Sequence, residues 1–117
     1  MPIGWIEYKN RKILSIDLRG ASAEEMLEVV EEQKRIIDAA SEPVLLLNDF
    51  RGTYATEEYM KKAKEYGKLQ KDKIARNAVL GIQGVKSILL RAYIRFSGSD
   101  NTKMFDDVEQ AKEYLVK

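Results

Sequence analysis

The four consecutive apolar residues Val44-Leu45-Leu46-Leu47 constrain the fold of this chain more than any other feature. A run of that length with no polar alternation reads as a central strand covered on both faces. Glu42-Pro43 ends the helix before it, because the position ahead of proline disfavours the α conformation. Residues 78–82 form a second buried strand of the same kind. Two such strands need helices on them, and the flanking segments supply helical patterns.

Residues 3–8 and 12–18 read as an edge hairpin around Lys9-Asn10-Arg11, where Asn tolerates positive φ. Ser22-Ala23-Glu24-Glu25 is a capping box. It opens a helix with Met26, Val29, Val30, Ile37 and Ala40 on one face. Thr56 caps a second helix, with Met60, Ala63, Gly67 and Ile74 inward and Tyr59 and Tyr66 at the margin. Residues 102–105 suit a short last strand. Asp106-Asp107-Val108-Glu109 is a second capping box, with Val108, Ala111 and Leu115 inward. The order β-β-α-β-α-β-α-(β)-α predicts an α/β fold, with a mainly parallel (mixed) sheet, an antiparallel edge hairpin and about four helices. No repeat or linker interrupts it, so residues 1–117 read as a single domain.

The third helix, over 84–97, is greasy on more than one face. Val85, Ile88, Leu89, Ala92 and Phe96 fall on one stripe at 100° per residue. Leu90 and Ile94 point the opposite way, flanked by Lys86 on one side and Arg91 and Arg95 on the other. With Tyr93, these residues are the candidate binding surface. It would suit a protein partner, a second copy in a homodimer, an apolar ligand, or an anionic membrane surface that the three bases meet.

Composition narrows the chemistry. The chain has no cysteine and no histidine, which removes disulfides, thiolate chemistry, the usual zinc sites and every Ser-His or Cys-His relay. No catalytic residue, metal or cofactor is expected. Net charge is +1, too small a field for nucleic acid. Charge is uneven, with six acids against two bases over 21–40 and seven bases against four acids over 56–76. No signal peptide or membrane span is apparent, which implies a cytoplasmic protein, peripheral to a membrane at most.

Asp49 and Arg51 form the loop at the end of the central strand, where open α/β sheets place ligands. A lone carboxylate there suits loop capping better than Mg²⁺ binding. Gly81-Ile82-Gln83-Gly84-Val85-Lys86-Ser87 departs from the phosphate-loop spacing, and its glycines serve a tight strand-to-helix turn. Thr53 and Thr56 lie before the second helix. The Thr56 hydroxyl is first a cap and second a candidate phospho-switch, since phosphate there would meet free amides.

Taken together, RKILSIDLRGASAEEM, VLLLNDFRG, ARNAVLGIQGVKSILLRAYIRFSG and MFDDVEQAKEYL resemble the SpoIIAA-like family of the STAS superfamily along nearly the whole chain. The resemblance implies a non-enzymatic α/β domain that acts by binding, in the manner of anti-sigma-factor antagonists. In those relatives a Ser at the start of the second helix is phosphorylated to end partner binding, within an Asp-Ser-Ser-Gly-like motif. Here that region reads Thr53-Tyr54-Ala55-Thr56-Glu57-Glu58, which departs from that motif and offers Thr56 as the substitute. The same branch is similar to lipid carriers of the CRAL-TRIO type, which implies apolar-ligand or membrane association as the alternative to protein binding.

Overall fold

The computed structural model describes residues 2–81 and 101–117. The helix expected over 84–97 lies outside them, and with it Lys86, Leu90, Arg91, Tyr93, Ile94 and Arg95.

Five strands form one sheet in chain order: β1 (Ile3–Tyr8), β2 (Arg11–Asp17), β3 (Val44–Asp49), β4 (Ile74–Leu80) and β5 (Thr102–Phe105). β1 pairs antiparallel with β2, and every other pair is parallel. The hairpin turns on Lys9 and Asn10 alone, at φ 50° and 65°, with Tyr8 facing Arg11 across the ladder. Positive φ at both central residues is the two-residue geometry that matches strand twist.

The β3 run behaves as its composition requires. All six residues are buried, and alternate side chains feed different cores. Val44 and Leu46 join one core with α1 (Ala23–Ala39) and α2 (Glu57–Leu69). Leu45 and Leu47 join the other, with Ala111 and Leu115 of α3 (Val108–Val116). A two-faced core on one strand is why polar alternation is missing there.

The described residues contain three α-helices and a one-turn 3-10 helix at Lys71–Lys73. Ser22 caps α1 with a complete capping box, and Met26, Val29, Val30 and Ile37 are its buried residues. Further details differ from the sequence expectation, and β4 runs Ile74–Leu80 rather than over 78–82. Tyr59 is buried rather than marginal, its ring edge-on to Phe50 at 5.5 Å between centroids. Ile74 opens β4 instead of ending α2. Asp107, not Asp106, caps α3, its side chain accepting from the Glu109 N–H. Among the described residues no helix is long and apolar enough to cross a membrane.

Candidate functional site

The carboxyl ends of β2 and β3 carry the same four-residue device. Asp17-Leu18-Arg19-Gly20 and Asp49-Phe50-Arg51-Gly52 share the pattern Asp-x-Arg-Gly. Asp17 Oδ1 accepts from the Arg19 backbone N–H and Nε, and its Oδ2 accepts from the guanidinium at 2.8 Å. Asp49 holds Arg51 the same way, with the closest contact 2.7 Å. Leu18 and Phe50 are buried in both turns, and Gly20 and Gly52 both sit at φ 72°. The Leu18 N–H donates to the Asp49 carbonyl as the Phe50 N–H donates to the Leu80 carbonyl. Each turn thus extends sheet bonding by one residue past its strand.

Asp17 and Asp49 are register partners, so the two turns lie side by side. Arg19 also approaches Asp49, with Nε 3.6 Å from Oδ2. The Arg19 guanidinium beside Asp17 holds that carboxyl below the ordinary carboxylate range. Both Asp side chains are taken up by charge-assisted bonds, the strong class of hydrogen bond. Asp49 therefore caps its loop, as its position suggested, and Arg51 is the group it captures. Among the described residues no three acids cluster to hold a metal ion. The duplication was visible as DLRG and DFRG, although the sequence reads as free of repeats.

Thr53 and Thr56 follow. Thr53 Oγ1 accepts from the Gly20 N–H at 2.6 Å, tying the second turn to the first. Thr56 is the N-cap of α2, its hydroxyl oxygen accepting from the Tyr59 N–H at 3.1 Å. Glu57 and Glu58 fill the first turn, where a phosphate would meet like charge.

Between the sheet and helices α1 and α2 lies a cavity of about 510 Å³. Leu46, Phe50 and Val79 line it from the sheet side, Val30 from α1, and Met60, Ala63 and Tyr66 from α2. The exposed residues Lys61, Lys64 and Lys71 also border it, with Glu57 beside them. Asn48, Asn77 and Thr102 are the polar strand residues among its described lining. The Asn48 Nδ2 donates to Asn77 Oδ1 at 2.8 Å.

A polar lattice holds α1 and α2 together beside this cavity. Gln70 is buried and donates through Nε2 to the Lys34 carbonyl and to Asp38 Oδ1, at 3.0 and 2.8 Å. The Tyr66 hydroxyl donates to Glu31, which also pairs with Lys62 at 3.4 Å. That hydroxyl hydrogen bond holds the Glu31 carboxyl low and pushes the Tyr66 phenol up. Sequence reasoning placed Met60, Ala63 and Tyr66 near the core but found no cavity. Its signal was two asparagines inside otherwise strand-like apolar runs.

Of the residues singled out from sequence, Asp49, Arg51 and Thr56 fall at one end of the sheet. The six from 84–97 lie outside the described residues. No known family pattern matches the chain, and no curated protein matches it. Among solved structures, it is similar to an uncharacterized protein from the DUF3478 family with a SpoIIAA-like fold, from Shewanella loihica PV-4. That match has a TM-score of 0.70 and 15% identity, covering 97% of this chain and 91% of the other. The chain has a SpoIIAA-like fold, as the wording of its sequence implied.

Proposed function

We propose that this chain is a non-enzymatic, STAS-type binding domain whose ligand is a small molecule with an apolar body, held between the sheet and α1–α2. One observation carries the reading. A cavity of about 510 Å³ with mainly apolar walls lies between the sheet and α1–α2. That volume falls within the roughly 300–1,000 Å³ typical of ligand pockets. Lys61 and Lys71 at its border favour a ligand whose solvent-facing end is anionic. The strand-end carboxylates support a role without catalysis, since both are engaged by guanidinium groups. Regulatory protein binding through 84–97 rests on residues outside those described.

The probe 1-anilinonaphthalene-8-sulfonate tests it, having an aromatic body and one anionic end. Saturable binding of one probe per chain is expected. Ala63→Phe, which adds a ring to a lining position, should weaken that binding about tenfold while far-UV circular dichroism stays native. An absence of binding to the native chain, or binding indifferent to a folded Ala63→Phe variant, overturns the proposal.

A further inference from the structure

The cavity wall carries a polar anomaly. Asn48 is only 5% exposed, and its Oδ1 has no hydrogen-bond partner among the described residues. The other half of the amide, Nδ2, donates to Asn77 Oδ1. A second buried acceptor, Oε1 of the lining residue Gln33 on α1, also lacks a partner among the described residues. Buried polar atoms are nearly always satisfied, and a carbonyl left bare in apolar surroundings is costly. Both residues, one from the sheet and one from a helix, line the same cavity.

We propose that Asn48 is a specificity residue, and that the ligand presents a neutral hydroxyl or N–H donor to its Oδ1, with Gln33 Oε1 as the second acceptor. The proposal rests on the cavity being a ligand site and names the chemistry that site selects. Amide carbonyls only accept, so a carboxylate would meet them with repulsion. A cation would be buried without a counter-charge on the wall that Asn48, Asn77, Leu46 and Val79 form. A neutral donor satisfies both carbonyls at no such cost. It also discriminates sharply, because a ligand lacking it leaves the buried acceptors bare.

Two probes that differ only in this group give the test. 2-Naphthol donates through its hydroxyl, and 2-methoxynaphthalene replaces that hydrogen with a methyl group. Calorimetric titration of the native chain at pH 7 should favour naphthol by roughly tenfold, the usual worth of one hydrogen bond to an otherwise bare buried acceptor. Asn48→Leu should bring the two probes to within about threefold, and Gln33→Leu should reduce the preference partway. The native-chain contrast decides the matter even where Asn48→Leu does not fold. Equal binding of both probes, or a preference that survives in folded Asn48→Leu, overturns the role of Asn48 and leaves the cavity reading standing. Failure of both probes to bind overturns the cavity reading and this inference with it.

Discussion

Gly81 illustrates how much one residue can be asked to do. It ends β4 at φ 83°, and a Cβ built there would stand 2.6 Å from both the Cα and the backbone N of Arg51. Both contacts are to backbone atoms, so neither can swing aside. Replacing Gly81 with Ala adds left-handed strain to a backbone collision at the point where Phe50 bonds Leu80. The expected loss is about 2–4 kcal/mol of unfolding free energy by urea denaturation. An Ala variant as stable as the native chain would show that the Asp49–Gly52 turn is free to move off the strand. The sequence marked Gly81 as a turn glycine, which is only half the reason. Its other half is the approach of Arg51, which no local pattern encodes. Asn48 and Asn77 were legible as letters but not as a pair, because the two strands meet only in the folded sheet.

Among the elements, helix starts were the most readable, since a cap is a local contract between a side chain and the next turn. Ser22 and Thr56 cap α1 and α2 as their sequences indicate. At α3 two aspartates stand together, and the adjacent candidates differ only in which geometry the chain adopts. Thr56→Ala removes the acceptor for the Tyr59 N–H and should cost about 1 kcal/mol, read as a lower urea midpoint at unchanged slope. Thr56→Ser should retain most of that stability. A neutral Thr56→Ala would mean that water satisfies the helix end equally well. The faces of α2 were less readable: Tyr59, a polar-tipped aromatic, looks like a margin residue until Phe50 is placed beside it. Helix α2 also shares its inner side with a cavity, so its apolar stripe does not report solid packing along its whole length.

The molecule as a whole is laced by carboxylates that are better hydrogen-bonded when folded. Arg19 lowers Asp17, the Tyr66 hydroxyl lowers Glu31, Lys34 lowers Asp38, and Lys9 with Tyr8 lowers Glu113. These contacts link β2 to its turn, α1 to α2, and the hairpin to α3. A carboxyl depressed on folding contributes stability above its ordinary value, 3.8 for Asp and 4.5 for Glu, and loses it as pH falls through the lower folded value. The melting temperature should therefore change little from about pH 7 to about pH 5 and fall steeply below about pH 4. Asp38→Asn should flatten that acid limb, and a melting temperature equal at both extremes would contradict it. The fold class was legible at this scale because strand and helix alternation is a property of the chain's order. The partition of β3 was legible too, in its unbroken apolar run. That partition gives the protein a keel: Leu45 and Leu47 anchor to α3 on the side away from the cavity. Evolution or an engineer could recut the opposite wall, residue by residue, while the hull stays afloat.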